Sequence, residues 1–246
     1  RKAGIRFVED PHRTREELLD EIDEGIVIFT AHGISPAVRR KAAEKGLQIV
    51  DASCPDVIRT HELVCEAVQN NRDVLYIGKK GHPEAEGTCG LSQRVHLITC
   101  EEDVKKYLNL KNIFITNQTT LSLLEIKKII DACLRIYPDA EVAQEICNAT
   151  TIRQEAVMKL KDVDMLIVVG DPRSNNSNQL KNIGLTAGIP DCILIESAQN
   201  LQESDIKGKK RIAVTSGSST PNELTSQVIE QLQEYAETGI WKPAAP

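Results

Sequence analysis

The chain has 246 residues, and its 30 Lys and Arg against 36 Asp and Glu give a formal net charge of −6. The acidic balance argues against a nucleic-acid partner, and aromatic residues, at 3%, are too few to build a base-stacking surface. No apolar run approaches the roughly 20 residues of a membrane helix, so we expect no membrane partner. No signal peptide opens the chain. We therefore expect the protein to be located in the cytosol, or in the interior of an organelle if a targeting segment has been lost.

Short β-branched runs alternate with helical patterns along the chain. The runs predict strands at residues 5–8, 26–29, 47–50, 74–77, 113–115, 166–169, 193–195 and 212–214. Helices are predicted at residues 35–45, 122–136 and 221–235, the first opened by Ser35 as N-cap before Pro36. Several strand runs are continuously apolar, as in strands covered on both faces. The alternation predicts an α/β fold with largely parallel sheets.

A weak internal repeat divides the chain further. Cys54 precedes His82 by 28 residues, and Cys147 precedes Asn175 by the same number, with a helix and a strand inside each interval. We therefore predict three pseudo-repeated α/β lobes around a common centre, the first of them incomplete. The predicted boundaries are residues 1–54 for the remainder of the first lobe, 55–146 for the second, 147–236 for the third and 237–246 for a tail.

Five strand runs end in loops of Gly, Ser, Thr, Asn and His that open helices. Unpaired N–H groups and the positive end of the helix dipole make such places suitable for phosphate. Each loop alone is explained equally well by helix capping, but five together favour a shared anion site. Two histidines in matching loops, His32 and His82, are candidate phosphate donors, although a single loop histidine is usually a surface residue. Neither a P-loop nor a dinucleotide-binding fingerprint is present.

Seven cysteines without a C-x-x-C pair argue against a disulfide framework and against common zinc motifs. Cys54 is predicted to cap a helix before Pro55, where the helix dipole favours the thiolate, and Cys147 has the equivalent place in the repeat. The alternative is that both are small buried apolar side chains. Cys65, Cys133 and Cys192 fall on apolar helix or strand positions, and Glu84 is either a general acid or a solvated loop carboxylate.

Six stretches, in order from about Gly4 to about Leu232, closely resemble the 4-hydroxy-3-methylbut-2-enyl diphosphate reductase family of the methylerythritol phosphate pathway. They are AHGISP at 31–36, DASCP at 51–55, GHPEAEGT at 81–88, NQTTLS at 117–122, ICNATTIRQEA at 146–156 and SSTP at 218–221. The resemblance implies three lobes around a [4Fe–4S] cluster held by three cysteines, which leaves one iron open to substrate.

The resemblance also implies roles for particular residues. Cys54 and Cys147 match two cluster ligands, and the third cysteine is expected upstream of Arg1. Glu84 matches a proton donor, and Thr119 matches a hydroxyl that orients the substrate alcohol. The residues that match diphosphate ligands are His32, His82, Ser174, Asn175, Asn176 and Ser219, with Asn175 standing where the family has serine.

The implied reaction removes the hydroxyl of an allylic diphosphate as water and yields isopentenyl and dimethylallyl diphosphate, with ferredoxin or flavodoxin as electron donor. Two other functions stay open on the sequence. One is a cluster-free diphosphate- or anion-binding protein of the same fold, and the other is a zinc site at Cys54, Cys147 and His82. Iron and acid-labile sulfide analysis distinguishes them.

Overall fold

The computed structural model describes residues 4–10, 12–143 and 148–244. The described helices are α1 Arg15–Leu18, α2 Pro36–Glu44, α3 Pro55–Gln69, α4 Pro83–Cys89, α5 Leu123–Ile136, α6 Asn148–Met158, α7 Asn175–Thr186, α8 Glu203–Ile206 and α9 Asn222–Thr238. The strands are β1 Ile26–Phe29, β2 Gln48–Asp51, β3 Asp73–Ile77, β4 Val95–Ile98, β5 Ile113–Asn117, β6 Glu141–Val142, β7 Met165–Val169, β8 Asp191–Ile195 and β9 Ile212–Ser216. The described residues also form three 3₁₀ segments, which are Leu19–Glu21, Glu101–Tyr107 and Ala198–Asn200.

The predicted α/β class with parallel sheets is confirmed. Every strand pair in the described residues is parallel, and the strands form three sheets, with orders β1-β2, β4-β3-β5-β6 and β8-β7-β9. Seven of the eight predicted strands are present, with ends shifted by one or two residues. Strands β4 and β6 were not predicted, since β4 carries the polar His96 and β6 has only two residues.

The predicted strand at residues 5–8 is wrong. This segment has no regular secondary structure in the described residues, and Ile5 and Phe7 are exposed. A β-branched pattern reports only the preference of the chain, whereas a strand also needs a neighbour to accept its backbone hydrogen bonds.

Two compact units divide the chain, and the first comprises Arg1–Thr119 with Leu124–Ile146. In its larger sheet β3 lies between β4 and β5, and Ile77 is paired with Asn117 at the carboxyl ends of β3 and β5. The loops after these two strands therefore begin side by side at one edge. The core beneath them includes Val64 of α3, Val74 and Tyr76 of β3 and Ala85 of α4.

Three helices of this unit begin with proline at the first helical position, where the missing N–H costs nothing. Their N-caps are Ser35, Cys54 and His82, each with extended backbone angles. The prolines therefore determine where these helices begin, and Ser35, Cys54 and His82 each stand directly before one of them.

The second unit comprises Thr120–Leu123 with Cys147–Pro246. All five residues of its central strand β7 are buried, as the continuously apolar run indicates. Helix α9 continues to Thr238, beyond the predicted end at residue 235, and stops at Gly239, whose positive φ of 68° suits glycine. The boundaries of the three lobes and their common centre stay predictions.

No helix in the described residues is both long enough and apolar enough to cross a lipid bilayer.

Candidate functional site

His32 and His82 form a pair of imidazoles in the first unit. His32 lies in the turn that follows β1, and His82 caps α4, so both sit where a strand has ended. Their ring centroids are 5.2 Å apart with the planes at 82°, an edge-to-face contact. The structure therefore brings the two predicted anion-binding histidines together.

Both imidazoles are held neutral. Burial lowers the pKa of His32, and burial, followed by the charges of His32, Arg15 and Lys79, lowers the pKa of His82 to about 3. Nδ1 of His82 accepts the backbone N–H of Glu84 at 3.2 Å, which assigns the ring proton of His82 to Nε2. Nδ1 of His32 is buried and has no hydrogen-bond partner among the described residues. The pair therefore offers neutral N–H donors to an anion.

A residue that the sequence reasoning missed, Arg15 of α1, supports this pair. Its Nη1 donates to the carbonyl oxygen of Gly33 at 2.6 Å, and its backbone N–H donates to Oε1 of Glu86 at 3.0 Å. Gly33 has a φ of +72°, and a Cβ built on it would lie 2.9 Å from both His61 Cε1 and Val57 Cγ1. Only glycine fits this turn, and Arg15 holds the turn from the other side.

Replacing Arg15 with Met is expected to raise the pKa of both His32 and His82, since a nearby positive charge disfavours imidazolium. Burial is the larger cause and remains, so both pKa values are expected to rise but to stay below that of a solvent-exposed imidazole. NMR titration of the imidazole C–H signals measures both values. Arg13→Met is the control, because Arg13 pairs with Glu21 on the surface. Unchanged titrations in Arg15→Met would contradict this electrostatic role.

Glu84 lies fully buried in the first turn of α4. Its Oε1 accepts the backbone N–H of Thr119 at 2.7 Å, and its Oε2 is 3.1 Å from the Thr119 hydroxyl. Burial raises the pKa of Glu84 to about 7, with a smaller rise from the charge of Asp56, whereas the hydrogen bonds from Thr119 and Tyr76 lower the pKa. A carboxyl group with this pKa is half protonated near neutral pH, which suits a proton donor. The alternative that Glu84 is a solvated loop carboxylate is wrong.

Cys54 is the N-cap of α3, and its backbone N–H donates to the carbonyl oxygen of Ala31 at 2.9 Å. The side chain is half-buried and makes no capping hydrogen bond, and its Sγ lies 3.9 Å from Oδ2 of Asp56. A thiol in this position fits the ligand predicted from the sequence. The second predicted ligand, Cys147, lies outside the described residues.

Within residues 4–10, 12–143 and 148–244, no three His, Cys, Asp or Glu side chains converge as a metal site. Each predicted ligand set includes Cys147, which is not among these residues, so both sets stay predictions. Of the remaining cysteines, Cys133 and Cys192 are buried as expected, whereas Cys65 is exposed on α3, which corrects its interpretation as an apolar position. The helical pattern of α3 places Cys65 next to Val64, which takes the buried face.

The second unit has its own polar cluster where β7 and β9 end. Ser174 caps α7 and accepts the N–H of Ser177 at 3.4 Å. Nδ2 of Asn176 donates to the Ser218 hydroxyl at 3.1 Å, whereas its buried Oδ1 has no partner in the described structure. The buried Ser177 hydroxyl likewise has none. Of these two atoms the Ser177 hydroxyl can donate a hydrogen bond, and at the N-terminus of a twelve-residue helix such a donor suits an anionic ligand.

The other two predicted residues of this unit, Asn175 and Ser219, have different surroundings. Nδ2 of Asn175 donates to the carbonyl oxygen of Thr120 at 3.0 Å, so this side chain joins two loops of the unit. Ser219 lies exposed in the turn after β9. A Cβ at Gly170 would lie 2.4 Å from the Ser177 hydroxyl and one at Gly217 2.5 Å from it, so a larger residue at either position would displace this hydroxyl.

Comparison with known proteins gives one consistent result. The chain matches the family model described as LytB protein over residues 1–233. A protein of Brevibacillus brevis named 4-hydroxy-3-methylbut-2-enyl diphosphate reductase is 46% identical over 239 residues, which cover 96% of this chain and 76% of that relative. A protein of Anoxybacillus flavithermus with the same name is 46% identical over 237 residues, covering 95% and 75%.

Solved structures agree with the sequence comparison. The E-1-hydroxy-2-methyl-but-2-enyl-4-diphosphate reductase from Plasmodium falciparum is similar with a TM-score of 0.82 and 34% identity, covering 87% of this chain and 70% of that one.

Proposed function

Because the chain belongs to the LytB family, we propose that it acts as a reductase of 4-hydroxy-3-methylbut-2-enyl diphosphate. The balanced change is the consumption of two electrons and two protons, the loss of the allylic hydroxyl as water and the formation of isopentenyl and dimethylallyl diphosphate. The proposed electron donor is a ferredoxin or flavodoxin. The proposed location is the cytoplasm of a bacterium, or a plastid-type organelle.

The observation that carries the proposal is the buried Glu84–Thr119 pair. A protein that only binds diphosphate has no use for a buried carboxyl group, which is costly to keep unless it is partnered or neutral. With a pKa of about 7, Glu84 retains a proton that it can transfer to a leaving hydroxyl. The Thr119 hydroxyl, 3.1 Å from Oε2, is placed to pass that proton on and to orient the alcohol.

Polar residues at strand ends are proposed to bind diphosphate, and each unit has its own set of them. In the first unit, neutral His32 and His82 donate N–H groups, and Arg15 adds positive charge near them. In the second unit, the proposed donors are Ser174, Asn175, Asn176 and Ser219. Anchoring a charged group away from the reacting carbon holds the alcohol in one place, which removes much of the entropic cost of reaction.

A [4Fe–4S] cluster is part of the same proposal. Cys54, together with Cys147 and a third cysteine upstream of Arg1, would hold it as thiolate ligands. When bound, the cluster supplies the electrons and an iron with an open coordination position. Cys54 suits this role because its thiol is half-buried, lies at a helix N-terminus and is not used as a cap.

The test is an anaerobic assay of the full-length protein with the allylic diphosphate and dithionite-reduced methyl viologen, together with iron and sulfide analysis. We expect oxidation of the viologen, both five-carbon diphosphate products, and iron and sulfide in equal amounts. A protein that binds the diphosphate, contains neither iron nor sulfide and forms no product would instead be the anion-binding protein considered from the sequence.

A further inference from the structure

Tyr76 is a fully buried tyrosine in the middle of β3. Its hydroxyl donates to Oε1 of Glu84 at 3.4 Å and also contacts the Thr88 hydroxyl of α4. In the sequence, residue 76 stands at an apolar position of a strand. A tyrosine there adds a hydroxyl group to the core.

The ring of Tyr76 packs in the core of the first unit beside Val74 and Ala85. A phenylalanine or leucine would serve that core without a polar atom, and a buried hydroxyl costs free energy unless it is hydrogen-bonded. Burial raises the pKa of Tyr76 well above 10, so its hydroxyl remains a neutral donor. The hydroxyl therefore keeps its proton and donates a hydrogen bond to the Glu84 carboxyl group.

The two oxygens of Glu84 have different surroundings. Oε1 faces two donors, the Thr119 backbone N–H at 2.7 Å and the Tyr76 hydroxyl at 3.4 Å. Oε2 faces the Thr119 hydroxyl, which can accept as well as donate. An oxygen that already accepts two hydrogen bonds is a poor place for the acidic proton, so the proton of the neutral carboxyl resides on Oε2.

We propose that Tyr76 is a positioning residue for the proton donor: by bonding Oε1 of Glu84, it directs the transferable proton to Oε2, beside the Thr119 hydroxyl. This inference rests on the proposed function, in which Glu84 donates a proton to the leaving hydroxyl. It adds that Tyr76 determines which oxygen of Glu84 donates the proton.

The charged and titratable surroundings of Glu84 are few. Asp56 approaches from α3 and raises the pKa of the carboxyl group, while Tyr76 from β3 lowers it. His82, the N-cap of the same helix, accepts the Glu84 backbone N–H and is neutral. Strand β5 and the loop after it contribute Thr119, which does not titrate. Removal of the Tyr76 hydroxyl therefore changes the bonding of Oε1 while leaving every charge in place.

The experiment is Tyr76→Phe in the full-length protein, which keeps the ring and removes only the hydroxyl. Infrared titration of the protonated carboxyl, identified by its loss in Glu84→Gln, measures the pKa of Glu84 without any turnover. Since a donor to the carboxylate is removed, we expect this pKa to rise by about half a unit to one unit. The carbonyl stretch is expected to shift upward, because Oε1 loses a hydrogen bond.

In the viologen assay, the fall of kcat on the alkaline side is expected to move upward by the same amount, with KM unchanged. Tyr235→Phe is the matched control, since the Tyr235 hydroxyl donates to Oε1 of Glu203 at 3.1 Å on the surface of the second unit. An infrared titration of Tyr76→Phe that coincides with wild type would overturn the positioning role. If the proposed function is wrong, the wild type shows no turnover, whereas the infrared shift between wild type and Tyr76→Phe is still observed.

Discussion

Glu84→Gln is expected to lose turnover by roughly 10²–10⁴-fold, the usual contribution of general acid catalysis. The amide matches the carboxyl in shape and can still accept the Thr119 N–H through its oxygen, but it has no transferable acidic proton. Affinity for the diphosphate is expected to change little, because the proposed anion donors are other residues. Steady-state kcat and equilibrium binding of the substrate measure the two effects separately.

The pH dependence of the same variant provides a second measurement. Wild-type kcat is expected to fall as the pH rises through about 7, because Glu84 then loses its proton. The folded protein also retains a proton that the unfolded chain releases near pH 4.5, so the stabilising contribution of this group falls between pH 4.5 and about 7. In Glu84→Gln, neither this fall of kcat nor this fall of stability with rising pH is expected.

The control for both measurements is Glu66→Gln, which changes an exposed glutamate of α3. It is expected to behave as wild type. Wild-type turnover in Glu84→Gln would remove Glu84 from the proposed mechanism.

Cys54→Ser is expected to abolish most cluster binding in the full-length protein. A serine oxygen is a harder ligand than thiolate, and a three-cysteine site that loses one sulfur leaves its iron exposed to solvent and oxidation. Iron and acid-labile sulfide per chain, with the visible absorption of the cluster, measure the loss without reference to activity.

Cys65→Ser is the matched control for this substitution. Cys65 is exposed on α3, whereas Cys54 occupies the N-cap position directly before the same helix. We expect Cys65→Ser to retain iron and sulfide as in wild type. Equal contents in Cys54→Ser and wild type would exclude Cys54 as a ligand and favour a site elsewhere.

Much of the fold follows from local signals. Continuous apolar runs identify β3, β5 and β7 as covered strands, and an X-Pro step predicts the N-terminus of α2 at Ser35. These signals operate through backbone dihedral angles and nearest neighbours, so a single sequence is enough to detect them. The segment at residues 5–8 shows their limit, since it has the strand pattern without strand pairing in the described structure.

Several residues of the candidate site were predicted from the sequence, but its electrostatics were not. His32 and His82 were candidates from their loops, yet their contact and their neutral state depend on burial and on Arg15, which no motif marks. Tyr76 and Thr119 both reach Glu84, and Thr119 is 35 residues away from it in the chain. Sequence patterns carry no information on such distances.

The sequence by itself determined the alternation of strands and helices, the prolines that place Cys54 and His82 at helix N-termini, and the polar loops where strands end. These are consequences of local stereochemistry and side-chain periodicity. The tertiary structure alone decided that Glu84 is fully buried, that its pKa is raised to about 7, and that Tyr76 contacts Oε1. Desolvation and hydrogen bonding depend on which distant segments pack together, and β3, α4 and β5 meet only in the folded chain.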